Sequence, residues 1–486
     1  MEVSSEPTPP PPTQTNAKPL PGNGGGDIPD FIQLQQVPVN YVQQVETDLL
    51  EPVVFSQGTS TTDGFTRFTL QNKGFLHSHS KIFIALEPQD NASSSNCYFA
   101  PHLGVAQVVK KAVLKIGNKV LNELDSWDGL HAVKSSLLNG ETNFEREMFM
   151  SGKAMAHKFV YNGDDNQLAS NVGLDTGYEE VIGTNILFLP GALTMDGSKK
   201  NEVPSFMIDL SDLFPFLKLH QLPLYMIKEP INIELTFHPT IKERCQIAGV
   251  TGIGTEKEFH IKRDQLKFCA DYIFYGATDE MERYANANKD LNFSFVDYRL
   301  VETTTSHTDL GSGIVRNLGM ANRLVPRVIT TLPDTSQNEE SILGTNNSVA
   351  PFLNASGVQG AGLKYNIRYN DRYEYTSDID NTARLFSAFT DSEGVPYLTR
   401  TEYAAQGNMI EDSQLFEGRN QDVNLEGQMF YVGTRLTNGR VGQRGIELHL
   451  TGTWANSGRQ PTLLRNYCEY LRVARLVDGM LEIYNA

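Results

Sequence analysis

Six groups of residues in this 486-residue chain have types and spacings that could do chemistry. Gly163-Asp164-Asp165 has the form of a two-metal carboxylate turn. Phosphoryl chemistry of that kind needs a further carboxylate to hold the second metal, and nothing nearby supplies one. Gly and Asp are also turn residues, so a surface turn is the expectation. Gly249-Val-Thr-Gly-Ile-Gly-Thr255 has the glycine spacing of a phosphate loop. Thr255 stands where the phosphate-binding Lys is required, so the stretch reads as a connection. His77 and His79 alternate and share one face, but two histidines without a third ligand rarely make a zinc site. His449 lies on the polar side of a strand pattern, facing solvent or a neighbouring subunit. Asp378 and Asp380 could hold calcium, and helix capping explains them as well. Trp127 and Trp454 could stack on a sugar, but Trp127 falls on the apolar side of a helical pattern. No Gly-x-Ser-x-Gly or His-Glu-x-x-His motif is present. The expectation is no catalytic residue, no cofactor, no metal and no enzyme.

Composition narrows the classes further. The net charge is −17. Proteins that wrap nucleic acid draw most of their affinity from neutralising phosphates, so no direct nucleic-acid binding is expected. Cys97, Cys245, Cys269 and Cys468 are scattered without a Cys-x-x-Cys pair and read as reduced thiols in an intracellular folding environment. The N-terminal stretch has no basic-then-apolar signal pattern, and no run approaches the ~20 apolar residues of a membrane span.

The elements that would position any site are β-strands. Val203 to Phe237 organises the reading. It closes on Ile231-Asn-Ile-Glu-Leu-Thr-Phe237, whose period of two marks a strand with one face on a core. The run before it carries Pro204, Pro215, Pro223 and Pro230. That spacing predicts short apolar pieces across a sheet edge and no helix. A second Ile-Glu-Leu strand appears at Ile446 to Thr451. A strand from Lys111 to Ile116, a turn at Gly117-Asn118 and a returning strand at Val120 to Leu124 lead to Asp125 or Ser126 as a helix cap. The helix carries Trp127, Leu130, Val133 and Leu137 and ends at Gly140. The same order recurs as Leu363 to Tyr369, Asn370-Asp371, Arg372 to Thr376, then Asp378, Asp380 and a helix with Ala383, Phe386 and Phe389. Two such repeats predict a duplicated β-domain. Leu266 to Tyr275 and Leu291 to Tyr298 read as strands flanking a charged helical link, in which Glu280 and Arg283 can pair. The link is expected to join two separately cored units. The chain closes on an Asp478-Gly479 hairpin.

These stretches carry a resemblance. "LPLYMIKEPINIELTF" (222–237), "LKFCADYIFYGATDEMERYA" (266–285), "YCEYLRVARLVDGMLEIYN" (467–485) and the strand–helix unit 108–135 resemble, in order, segments of the double jelly-roll major capsid proteins of icosahedral double-stranded DNA viruses. In size the chain is similar to the capsid proteins of polinton-like viruses and virophages. The resemblance implies an all-β chain of two jelly-roll β-sandwiches in tandem, with short helices and long loops. It implies a homotrimeric, pseudo-hexagonal capsomer in the virion, folded in the host cell and contacting neighbouring capsomers, penton and minor capsid proteins. The expected division is a Pro/Gly-rich arm at 1–27, jelly roll 1 at 28–278, a linker helix at 279–288 and jelly roll 2 at 289–486. Long loops at 139–200, 333–362 and 403–441 would rise as towers. The arm would order on assembly against an adjacent capsomer, a minor protein or an internal membrane. The rival readings are a carbohydrate-binding jelly roll and a minor capsid or spike protein.

Overall fold

A computed structural model describes residues 42–59, 61–88, 95–99, 104–136, 150, 161–162, 167–168, 194–195, 205–238, 245–248, 259–275, 290–305, 312–331, 364–380, 384, 387–388, 431–437, 439–451 and 463–485. The arm, the linker helix at 279–288, the two glycine-bearing loops 163–165 and 249–255, Trp454 and most of the three long loops lie outside the described residues.

The first part of the chain forms β1 (Val42–Leu50), β2 (Val54–Ser56), β3 (Gly64–Leu70), β4 (Phe75–Leu76), β5 (Lys81–Pro88), β6 (Ser95–Phe99), β7 (Val109–Ile116) and β8 (Lys119–Asp125), then helix α1 (Trp127–Ser136). It continues with β9 (Tyr161–Asn162), β10 (Gln167–Leu168), β11 (Thr194–Met195) and β12 (Ser205–Asp209), then α2 (Leu210–Leu213) and α3 (Pro215–Leu219). β13 (Leu222–Pro223), β14 (Ile231–Phe237), β15 (Cys245–Ala248), β16 (Phe259–Ile261) and β17 (Lys267–Tyr275) complete it. The second part holds β18 (Asp290–Thr304), β19 (Ile314–Gly319), β20 (Arg327–Thr331), β21 (Lys364–Tyr369), β22 (Arg372–Tyr373), β23 (Tyr431–Arg435), β24 (Ile446–Thr451), β25 (Leu463–Val477) and β26 (Met480–Asn485).

Each part makes two sheets. In the first, β17 lies between β1 and the β4–β5 strand, with β12 beyond β5; the facing sheet runs β2-β3-β14-β7-β8. In the second, the orders are β18-β25-β20-β23 and β19-β24-β21-β22. The neighbours match one for one: first strand, last strand, third strand and seventh in one sheet, and the other four in its partner. This is the jelly-roll order twice, so the fold is a double jelly roll. The two Ile-Glu-Leu strands occupy the same place, since β14 lies between β3 and β7 and β24 lies between β19 and β21. The repeated strand–turn–strand units are the β7–β8 and β21–β22 hairpins. Asn370 and Asp371 turn the second hairpin with φ of 51° and 61°, the left-handed pair that a two-residue hairpin needs. Among the described residues no ladder joins a strand of 42–275 to one of 290–485.

The alternation in sequence becomes burial. Ile231, Ile233, Leu235 and Phe237 are all at most 1% exposed, while Asn232 and Thr236 are half-buried on the other side. The proline-rich run departs from expectation. It folds as strand, two short helices and a second strand piece rather than as strand fragments alone. Pro215 is the first residue of α3, where a missing N–H costs nothing because no turn precedes it. β14 is also an interior strand, not an edge strand.

The expectation of two separate cores is corrected as well. One buried cluster fills the second sandwich around Ile314, Tyr365, Ile367, Ile446 and Leu448. The larger cluster fills the first sandwich and runs on through Leu291, Phe293, Phe295, Tyr298, Tyr467 and Leu476 of the second. The two rolls therefore share apolar packing along a seam.

Candidate functional site

The sequence-level candidates separate in the structure. Trp127 is 1% exposed and its Nε1 donates to the Asp212 carbonyl at 3.1 Å, so it is packing and not a sugar platform. His77 and His79 do share a face, with ring centroids 5.3 Å apart. A carboxylate lies closer to them than the sequence implied, with Asp209 Oδ2 3.4 Å from His79 Nδ1. No group of three or more His, Cys, Asp or Glu side chains suited to a metal ion occurs among the described residues. Asp378 accepts from Asn366 Nδ2 at 2.8 Å, and Asp380 lies 3.6 Å from Arg384. Both aspartates are thus engaged with side chains rather than poised around a cation. His449 packs edge-on against Tyr373 at 5.2 Å. Cys269 and Cys468 are free thiols. A cleft of about 50 Å³ lies between α1, α3 and Tyr298, far below the ~300 Å³ at which ligand pockets begin.

What the fold does bring together is the seam between the rolls. On the first roll it is built by edge strand β8, by α1 after it and by α2–α3. On the second it is built by β18, β25 and β26. Helix α1 starts at Ser126, which holds a left-handed φ of 47° and turns the chain out of β8. The Ser126 carbonyl accepts from the Tyr467 hydroxyl at 3.1 Å. Phe216 of α3 meets Phe293 and Phe295 of β18 edge-on, with centroids 5.8 and 5.3 Å away. His220 donates from Nε2 to the Ser294 carbonyl at 2.7 Å. Burial pushes its pKa below the ordinary histidine value, with that hydrogen bond opposing, so the ring is held neutral.

Two polar clusters cross the seam. Asn122 is fully buried. It donates to Asp297 Oδ1 at 3.1 Å and accepts from the Phe216 N–H at 3.2 Å. Asp297 also accepts from Arg472 at 2.7 Å, the Tyr470 hydroxyl at 3.2 Å and the Tyr298 N–H at 3.0 Å. Burial raises the Asp297 carboxyl to about 6, against the pull of Arg472, Asn122 and Tyr470. Arg472 reaches on to the Leu121 carbonyl at 3.2 Å. In the second cluster Lys134 of α1 lies over the Tyr298 ring at 4.1 Å and bonds its hydroxyl. Tyr298 and Arg327 both bond Glu469. Buried groups satisfied this fully fix one geometry, because any displacement strands a desolvated donor or charge.

The closing hairpin fastens the other end. Gly479, at φ 85°, accepts from the Lys228 N–H at 2.9 Å. A Cβ there would come within 2.7 Å of Lys228 Cγ. Leu481 N–H donates to Glu229 at 3.3 Å. The sequence marked this hairpin as a turn but gave no sign that it docks on the first roll. Isolated polar residues inside strands, such as Asn122 and Asp297, were the one available signal for the seam.

The outward faces of the β3-β14-β7-β8 sheet carry paired charges. Glu234 lies between Arg67 at 3.0 Å and Lys115 at 2.5 Å, and Lys111 pairs with Glu123 and with Asp125 at 2.8 Å. Nothing in these arrangements presents a nucleophile with a base or an open ligand set. The geometry is that of a scaffold with extensive lateral surfaces.

No family model matches the sequence, and no curated protein matches it. Solved structures do. The cryo-EM structure of the Sputnik virophage is similar over 92% of this chain and 90% of that chain, with a TM-score of 0.55 at 11% identity. The quasi-atomic PBCV-1 virus capsid is similar over 92% and 98%, with 0.50 at 13% identity. The Faustovirus major capsid protein is similar over 89% and 90%, with 0.50 at 8% identity. At such identities the shared property is the fold, and it spans nearly the whole of each chain.

Proposed function

We propose that the chain is a major capsid protein, a structural subunit of an icosahedral viral shell. The observation that carries this reading is the duplication itself: two jelly rolls of one topology, locked edge to face by a buried seam. A fixed pair of equivalent rolls is a building block for a ring. Three chains would set six similar rolls around a threefold axis, giving a near-hexagonal tile. Tiles of that outline pack edge to edge, as a closed shell requires. The near full-length likeness to the Faustovirus major capsid protein and the PBCV-1 capsid supports the same reading.

In this reading the protein resides in the virion and has no enzymatic role. Its partners are two further copies, neighbouring capsomers, and penton and minor capsid proteins. Residues 28–278 and 289–486 are the two rolls, 279–288 the helical link and 1–27 an arm on the shell's inner side. The loops at 139–200, 333–362 and 403–441 rise on the outer surface. Long insertions there are thermodynamically mild, since closure cost grows slowly with loop length. Sedimentation of the purified chain tests the reading. A stable species near 162 kDa, three copies of a 54.1 kDa chain, is expected. A folded monomer throughout the micromolar range would overturn it.

A further inference from the structure

We propose that the side of β1 and β17 turned away from the first core is a docking face for a second copy of this chain, and that the copy presents its β21–β22 hairpin and the helical residues after it. The inference rests on the capsid reading and specifies how copies meet. Its template is the internal seam. There, the outward side of the second roll's first and last strands, β18 and β25, is covered by the first roll's β8 and α1. Tyr467 and Leu300 lie under that cover. The topologically equivalent strands of the first roll are β1 and β17, and in a single chain nothing covers them.

The uncovered side has the composition of a contact face. Leu50 and Asp48 pair with core-facing Phe268 and Ala270, so their neighbours point outward. Val45 is 57% exposed, Leu49 55% and, just beyond the strand, Val53 67%. Large aliphatic side chains clustered at one strand edge mark an interaction site more than a solvated face. The equivalent of the covering element is also open. β22 follows β21 as β8 follows β7, and Tyr373 on it is 50% exposed. Helical residues 384, 387 and 388 follow it as α1 follows β8.

Charge placement repeats too. In the seam, Lys134 from the helix after the sixth strand approaches Glu469 on the last strand at 3.8 Å. In the open pair, Arg384 follows the sixth strand of the second roll, and Asp271 sits on the last strand of the first roll, bonded to Thr47 at 2.6 Å. A second copy seated like the internal seam would bring Arg384 of one chain toward Asp271 of the other. Because the two faces differ, the contact is heterologous, and repetition closes into a ring rather than a two-fold dimer.

Two experiments test this. In the first, V45D/L49D and the wild type are sedimented side by side. The expected result is a wild-type trimer and a folded monomeric variant. In the second, Leu49→Cys and Tyr373→Cys are made in separate chains carrying Cys269→Ser, and each is treated with a short bismaleimide. A cross-linked dimer is expected only when the two are mixed. A wild-type trimer that survives V45D/L49D, or Leu49→Cys chains that cross-link to themselves, would overturn this docking mode and leave the capsid reading standing. A wild type that never associates would overturn both.

Discussion

Phe216→Ala is the sharpest probe of the seam. The residue belongs to α3 of the first roll, is 1% exposed, and meets Phe293 and Phe295 of the second roll. Truncating a buried Phe costs about 3–5 kcal/mol from lost transfer energy and the cavity left behind. The share that couples the rolls is smaller. An aromatic pair is worth about 0.5–1.5 kcal/mol beyond its area. A double-mutant cycle of Phe216→Ala with Phe295→Ala therefore isolates about 1 kcal/mol of coupling across the seam. The assay is guanidinium unfolding of the full chain, followed by far-UV circular dichroism and by fluorescence of Trp127 in a Trp454→Phe background. One shared core requires both signals to shift together in Phe216→Ala. Effects that add to within about 0.5 kcal/mol, the usual figure for uncoupled sites, would refute the shared core. So would a loss confined to one of two separate transitions.

Other outcomes follow from the same contacts. His220 has its pKa held below 6.5 by burial, so the unfolded chain binds a proton first. Its contribution to stability is full above pH 6.5 and falls as the pH drops, and His220→Gln flattens that part of the unfolding profile. Asp297 acts in the opposite sense. Its carboxyl is raised from 3.8 to about 6, so its contribution is full below 3.8 and is lost as pH rises through about 6. Asp297→Asn removes that dependence in denaturation measured from pH 4 to 7. Gly479→Ala sets a Cβ 2.9 Å from the Met226 carbonyl in a left-handed turn. It lowers stability by more than about 1 kcal/mol and increases hydrogen exchange in β26. Deleting residues 1–27 leaves trimer yield unchanged but lowers shell yield and heat resistance, because so polar and Pro-rich a segment orders only against a partner surface. Shells of normal yield and stability would show that the arm is passive.

Much of the fold was legible because half-buried strands write their geometry as alternation. Ile231 to Phe237 and Ile446 to Thr451 each announced one apolar face, and their shared Ile-Glu-Leu marked strands that prove topologically equivalent. Asn370-Asp371 and Asp478-Gly479 announced hairpins, since few residue pairs accept positive φ at low cost. The helices of 210–219 were missed because proline was read as a breaker. At the first position of α3 it is a starter, and only the surrounding structure distinguishes the two uses. The seam was the least legible part. Asn122, Asp297 and Arg472 stand far apart in sequence, and each alone resembles an ordinary polar residue in a strand. Their meaning comes from a docking geometry set by dozens of apolar contacts, which no local pattern encodes. Glu469 and Lys134 are hidden in the same way, as charges on a strand and a helix whose outward sides face each other only after the rolls pack.

The central claim is that this chain builds a shell from threefold rings of paired rolls. Cryo-electron microscopy of the purified full-length protein tests it most directly. The account predicts class averages of one particle type with threefold symmetry, a near-hexagonal outline and six similar β-sandwiches around the axis. Solitary two-lobed particles at tens of micromolar protein, or twofold dimers joined by identical faces, would contradict it.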